Sequence, residues 1–308
     1  MKRTVYTIGE TVYDIIFHHG QIQAGRVGGS MLNSSVSLGR LGYNSCFVSE
    51  VGNDDLGELV IDFLERNKVN ARFIDRFNEG KTPVALAFLD DQKNARYTFL
   101  KDYPSIRLQQ HLPQVTENDI VMFGSFFSIS PAVRATVLRF LKQAGEAGAL
   151  VIYDPNIRKP RKNEIPELLP MIFENFALAD IVRASHEDFQ TIFGTDEADE
   201  ASRIVKVYSD AALIFTRGSN GIKLFAGDCI REYSVPAIEV LSTIGAGDTF
   251  NAGIAKSLID QSILKRGLSE ISPNQWDQLI QTGISLSQEV CLSYDNYVSE
   301  RESATNTI

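Results

Sequence analysis

Apolar and polar positions along this chain follow two rhythms: short β-branched runs, and longer stretches with apolar residues three or four apart. Thr4–Ile8 reads as a strand ending at Gly9, and residues 30–41, with Leu32, Val36 and Leu41 in helical spacing before Gly42, read as a helix. Residues 46–51 predict the next strand, and Leu56, Leu59, Val60, Phe63 and Leu64 share one face of a second helix. The alternation resumes with a strand at 120–123, a helix at 131–147 carrying proline in its first turn, and an apolar strand at 149–153. A strand at 180–183, a helix at 197–208, a strand at 212–216 and a final helix from 273 to about 290 continue it. Such a rhythm predicts an α/β chain in which crossover helices cover both faces of a mostly parallel sheet.

Two stretches break the pattern. Residues 11–24 and 82–101 read as strands with no helix between them, and PVALAFLDDQKNARYTFL looks like a hairpin turning near 91–94. Their positions predict that both return to one place and pair as a small sheet beside the main domain, a lid over a site; an edge extension of the main sheet is the alternative. No repeat, low-complexity tract or Pro/Gly/Ser-rich linker divides the chain, so 1–308 is expected to form a single domain, with lid strands inserted at about 11–25 and 82–103.

Composition narrows the partners. The 308 residues are 44% hydrophobic, ample for a large core, and the net charge of −9 argues against nucleic acid or an anionic membrane as a partner. Cys46, Cys229 and Cys291 are too few and too scattered for a disulfide framework or a zinc set. The N-terminal apolar run is interrupted by Glu10 and Asp14, so it lacks the uninterrupted core of a secretory signal and none is expected, and no stretch reaches membrane-spanning length. A reduced, soluble, cytoplasmic protein with a small-molecule partner is expected.

Residues 240–259, VLSTIGAGDTFNAGIAKSLI, carry the strongest chemistry. Glycine at 245 and 247 allows close approach to a ligand and positive φ, while the helix that follows aims unpaired N–H groups at the same spot, which makes an anion site. A carboxylate there, Asp248, would repel phosphate unless it had a use: it can take the proton of an alcohol while the turn's amides neutralise a migrating phosphoryl group. An ordinary helix start with a dipole-favoured aspartate is the bland alternative. A dinucleotide fingerprint is excluded by Phe250 at the third glycine position, and there is no GxxxxGK[ST] loop.

Six segments in order, IGETVYDII at 8–16, GGSMLNSSVSLGRLG at 28–42, VGNDDLG at 51–57, DPNIR at 154–158, TRGSNG at 216–221 and STIGAGDTF at 242–250, give the chain its family likeness. Over essentially its whole length it resembles the ribokinase-like (pfkB) carbohydrate kinases. The resemblance implies a ribokinase-like α/β fold, ATP with Mg2+ as cofactors, and a small sugar as the other partner. It implies that Asp248 is the general base and that the amides of Gly245, Ala246 and Gly247 form the anion hole. Asp14, Gly28, Gly29 and Asn33 would hold sugar hydroxyls, with Phe99 on the sugar's apolar face and Arg158 on substrate or phosphate. Ser185, Thr216, Gly218 and Gly221 would line the nucleotide.

The chain also departs from the pattern. Ser242 stands where relatives carry an aspartate that helps build a monovalent-cation site, so no potassium activation is expected. The family's NxxE segment reads Ser185-His186-Glu187-Asp188, which leaves Asp188 as a water-mediated magnesium contact. Keto-acid kinases of the family commonly place a Tyr-Arg pair on the lid; here Leu100 and Lys101 occupy those places, which favours a neutral sugar, fructose foremost. The alternatives are a kinase of 2-keto-3-deoxygluconate or of another sugar or nucleoside, and a non-catalytic sensor on the same fold. The lid is expected to pair with that of a second copy as a homodimer.

Overall fold

The computed structural model describes residues 3–90, 95–157 and 164–301. In chain order the strands are β1 (Thr4–Ile8), β2 (Val12–His18), β3 (Gln21–Gly28), β4 (Asn44–Gly52), β5 (Val69–Phe77), β6 (Lys81–Leu89), β7 (Ala95–Asp102), β8 (Ile120–Gly124), β9 (Leu150–Asp154), β10 (Ile181–Ser185), β11 (Ala212–Thr216), β12 (Ile222–Ala226) and β13 (Cys229–Tyr233). The helices are α1 (Ser30–Arg40), α2 (Asp55–Arg66), α3 (Ser125–Ile129), α4 (Pro131–Glu146), α5 (Ile165–Leu178), α6 (His186–Ile192), α7 (Ala198–Tyr208), α8 (Ala246–Asp260) and α9 (Pro273–Cys291).

Nine strands form one sheet in the order β13-β12-β11-β10-β9-β8-β1-β4-β5. From β11 to β5 all neighbours run parallel, and β12 and β13 add an antiparallel edge. Strands β8, β9 and β11 are buried along their whole length, as strands covered on both faces must be. The pleat divides them between two cores. Leu150 and Ile152 of β9 join Leu32, Phe250, Ile254 and Trp276, while Val151 and Tyr153 join Phe140, Phe176 and Phe189 on the other face.

Of the longer elements, α5 and β5 escape the sequence rhythm, as does the short α3. Helix α5 carries a proline in its first turn and Pro170 within, which breaks its apolar period. Strand β5 is the sheet's outer edge and alternates apolar with charged residues, NARFIDRF.

The two strand-only stretches build a separate four-stranded sheet, β3-β2-β6-β7, in which β2 and β6 are parallel and the outer pairs antiparallel. Its register sets Arg26, Asp14, Ala85 and Phe99 in one row on one face. The turn predicted at 91–94 lies outside the described residues. Asp54, which caps α2 by accepting the Gly57 N–H at 2.9 Å, also accepts the Thr82 hydroxyl at 2.7 Å and the Thr82 N–H at 2.9 Å, so one carboxylate ties the small sheet to the main body. Among the described residues no helix is long and apolar enough to cross a membrane, and all three cysteines are free.

Candidate active site

Gly245 caps α8 in the left-handed conformation, φ 81°. A Cβ there would lie 2.1 Å from the carbonyl oxygen of Asn296, so the turn admits only glycine. The Ala246 carbonyl accepts the Ser287 hydroxyl of α9 at 2.8 Å, and the Ala246 N–H closes on the Thr243 carbonyl at 3.3 Å. Residues 245–247 are half-buried and Asp248, the next residue, is buried. A fixed turn opening into a 15-residue helix presents backbone N–H groups and the positive dipole end together, which suits an anion.

Helix α1 holds the aspartate. Positions 30, 33 and 34 share a face by helical spacing. The Ser30 hydroxyl donates to Asp248 Oδ1 at 2.5 Å, Asn33 Nδ2 donates to Oδ2 at 2.8 Å, and the Ser34 hydroxyl donates to the Asp248 main-chain carbonyl at 2.8 Å. Asn33 Oδ1 is buried without a hydrogen-bond partner. Gly28 ends β3 and Gly29, whose carbonyl accepts the Asn33 N–H at 2.8 Å, starts α1. From sequence Asn33 is expected to hold a sugar and Ser30 has no role, because a small polar residue at a helix start carries no signal beyond capping.

Three strand ends bring a second polar cluster to α8. Arg183 of β10 donates from Nη1 to Asp154 Oδ2 at 3.1 Å and from Nη2 to Thr216 Oγ1 at 2.9 Å. A Cβ at Gly247 would lie 2.8 Å from Nη1, so the guanidinium sits directly against the glycine turn. Asp154, fully buried at the end of β9, also accepts Asn251 Nδ2 of α8 at 2.6 Å. Burial pushes the Asp154 carboxyl up, Arg183 pulls it down, and the nearby Asp188 and Asp248 charges add to the rise. In the sequence Arg183 carries no signal, because IVRAS reads only as a strand.

Ser185 and Asp188 form a capping box at α6: Asp188 Oδ2 accepts the Ser185 N–H at 2.8 Å and its hydroxyl at 2.6 Å, and Oδ1 accepts the Ile157 N–H at 2.8 Å. Both oxygens thus hold the fold together. Among the described residues no three His, Cys, Asp or Glu side chains group to hold a metal, so the donor set does not fit a magnesium bound by protein side chains alone. Gly218 and Gly221, both at positive φ, shape the turn from β11 to β12. The Ser242 hydroxyl accepts the Ile244 N–H at 3.2 Å. Arg158 lies outside the described residues.

On the small sheet, a Cβ at Gly28 would meet Asp14 Oδ2 at 2.3 Å, so the bare backbone makes room for that carboxylate. Burial pushes Asp14 up to about 6, against the pull of Arg26. Lys101 donates to Glu10 Oε1 at 2.5 Å and sits 5.4 Å from the centre of the Phe99 ring, and Tyr103 donates to the same oxygen at 2.6 Å. Phe99 is 55% exposed and stacks on Tyr97. Asp14, packed on Gly28, and Asp248, held by Ser30, therefore flank the same pair of glycines.

A sequence profile of the pfkB family of carbohydrate kinases matches residues 2–272. The chain belongs to this family. As a pfkB carbohydrate kinase it is a phosphotransferase with an alcohol acceptor. It is similar to the fructokinase of Salmonella typhimurium, 26% identical over 262 residues that span 84% of this chain and 85% of that protein. Among solved structures, the aminoimidazole riboside kinase of Salmonella enterica, complexed with aminoimidazole riboside and an ATP analog, superposes with TM-score 0.79 at 22% identity, covering 96% of this chain and 95% of that one. The fructokinase of Vibrio cholerae O395, in a form with fructose, ADP and calcium ion bound, gives 0.80 at 21%, covering 96% and 94%. The ribokinase-like fold is thereby established for the pfkB chain.

Proposed function

We propose that this pfkB kinase transfers the γ-phosphoryl group of ATP to a hydroxyl of a small neutral sugar, with fructose as the leading substrate. The observation that carries the reading is Asp248, buried one residue beyond a glycine turn, with each carboxylate oxygen already bound by one donor of α1. In this reaction the acceptor alcohol gives its proton to Asp248, its oxygen forms a bond to phosphorus, and the bond between phosphorus and the bridging oxygen breaks to release ADP. The amides of Gly245 and Gly247 would take up charge on the transferring group, the expected third donor, Ala246 N–H, being turned onto the Thr243 carbonyl at 3.3 Å, and Arg183 against Gly247 supplies a full positive charge beside them.

The sugar would lie between the small sheet and α1, its hydroxyls on Asp14, on the backbone at Gly28 and Gly29, and on the unpartnered Oδ1 of Asn33, with Phe99 against its apolar face. The nucleotide would run from the anion hole past Ser185, Thr216, Gly218 and Gly221. Exposed Val240, Leu241 and Ile244 ahead of the turn offer an apolar shelf for its base. Magnesium is expected to arrive on the triphosphate, held by phosphate oxygens and water with Asp188 beyond the water, where it would neutralise phosphate charge. A neutral acceptor is supported by Lys101, whose ammonium is paired with Glu10, and fructose by the fructokinase relatives. The outer face of the small sheet, where Ile22 and Leu100 are exposed beside the Phe17–Phe88 stack, supports a homodimer through the lid.

A coupled assay of ADP release across fructose, ribose, 2-keto-3-deoxygluconate and nucleosides tests the proposal. Turnover should be highest with fructose. Preference for the keto acid would overturn the neutral-sugar assignment, and no turnover with any acceptor would overturn the kinase reading in favour of a sensor.

A further inference from the structure

The face of the small sheet that carries Asp14 and Phe99 also carries Arg26 and Lys101, and each cation stands beside an opposite charge. Arg26 is paired in register with Asp14 and pulls against the burial of that carboxylate. Lys101 follows Phe99 by two residues, so it leaves the strand on the same face, toward the end of the sheet where Val12 pairs with Gly28. Its ammonium sits 5.4 Å from the centre of the Phe99 ring and donates to Glu10 Oε1 at 2.5 Å. Glu10 lies in the crossing from β1 to β2, and a Cβ at Gly29 would lie 2.4 Å from the Glu10 carbonyl oxygen. The backbone of Glu10 thus abuts one of the two glycines, as the carboxylate of Asp14 abuts the other.

The pair is built into the molecule at its acidic end. Oε1 of Glu10 also accepts the Tyr103 hydroxyl at 2.6 Å. The Tyr103 ring meets Phe77 edge-on and lies 3.4 Å from the Arg107 guanidinium, and Arg107 in turn donates from Nε to the buried Glu50 of β4 at 2.6 Å. The Lys101 and Glu10 side chains are only 31% and 24% exposed. A carboxylate held by a second donor and partly shielded from water keeps its ammonium better than a free surface pair does.

We propose that Glu10 is a specificity-determining residue: by occupying the Lys101 ammonium it denies an acidic acceptor the cation its carboxylate would need, and so confines the kinase to neutral sugars. The inference rests on the sugar lying between the small sheet and α1. A carboxylate brought there gives up water for a cation that already has a partner, while the carboxylates of Asp14 and Glu10 repel it. A neutral polyol needs only hydrogen-bond partners and meets no such penalty. Discrimination therefore comes from an unmatched charge on the wrong substrate, with no added contact to the right one.

The test compares kcat/KM for 2-keto-3-deoxygluconate and for fructose in the wild type, Glu10→Gln and the double variant Glu10→Gln/Lys101→Met. Glutamine keeps the shape and an acceptor for Tyr103 but releases the ammonium. The ratio of keto-acid to fructose kcat/KM should rise by roughly tenfold in Glu10→Gln, chiefly through a lower keto-acid KM, and the rise should shrink as salt is added. Lys101→Met in the double variant should return the ratio to the wild-type value, which a merely structural role of Glu10 would not produce. Should Glu10→Gln not fold, Glu10→Ala frees the same ammonium and reads the same ratio. An unmoved ratio in an active variant, or a rise that survives Lys101→Met, would overturn the role of Glu10 alone. A wild type that prefers the keto acid, or that turns over no acceptor, would overturn the proposed function and this inference with it.

Discussion

Asp248 and Asp14 flank one pair of glycines, yet the molecule treats the two carboxylates differently. Asp248 belongs to α8, packed among helices on the nine-stranded sheet, and donors from α1 bind both its oxygens and its carbonyl. Asp14 belongs to the four-stranded sheet, where burial raises it to about 6 and Arg26 on the neighbouring strand is the opposing charge. The group proposed to move a proton is thus held between two packed core helices, and the group proposed to recognise the sugar rides on the separate small sheet, tied to the body at points such as Asp54 to Thr82. Chemistry that tolerates little displacement sits on the body, and recognition that must admit and release a ligand sits on the appendage.

Substitutions can sharpen or break that contrast. On the body side, Arg183→Ala should lower kcat/KM for ATP by roughly a hundredfold, with little recovery in Arg183→Lys because a point charge cannot serve Asp154 and Thr216 at once. Steady-state kinetics at varied ATP check it, and a loss confined to sugar KM would contradict it. On the appendage side, Asp14→Asn should raise sugar KM by roughly tenfold while leaving kcat closer to wild type. The ionised form of Asp14 is the one that accepts from sugar hydroxyls, so sugar affinity in the wild type should weaken as pH falls through about 6, and Asp14→Asn should lose that dependence. Calorimetric titration between pH 5 and 8 would expose a flat wild-type profile if Asp14 is not a ligand. The smallest effect on turnover is expected for Leu100→Asp, on the outer face of the small sheet, which should convert a dimer to a monomer by light scattering; a wild-type monomer at micromolar concentration would remove the dimer altogether.

The parts of the fold that read clearly from the sequence are those where one physical demand dominates. Strands buried on both faces, such as IVMFG and ALIFT, leave an uninterrupted apolar run, and α2 and α9 declare themselves by spacing and by Asp54 and Ser272 at their caps. Strand β5 reads poorly because an edge strand needs charge on one side, and α5 because its prolines interrupt the period. In the site, the glycine turn and Asp248 were legible because few other uses require those residues together. Ser30 and Arg183 were not, since their roles arise from the packing of α1 on α8 and from a strand end meeting a helix start 64 residues later in the case of Arg183 and Gly247. Asp188, expected as a water-mediated magnesium contact, also forms a capping box whose Ser-x-x-Asp spacing was readable in the sequence.

The central claim is that the carboxylate of Asp248 accepts the alcohol proton while the turn before it holds the phosphoryl group. Asp248→Asn keeps the side chain's shape and removes its basicity, so fructose binding by calorimetry and phosphoryl transfer by coupled assay, measured on the same preparation, test it most directly. The expected result is fructose affinity within about threefold of wild type and turnover lower by roughly a thousandfold or more. Turnover near the wild-type rate would contradict the account.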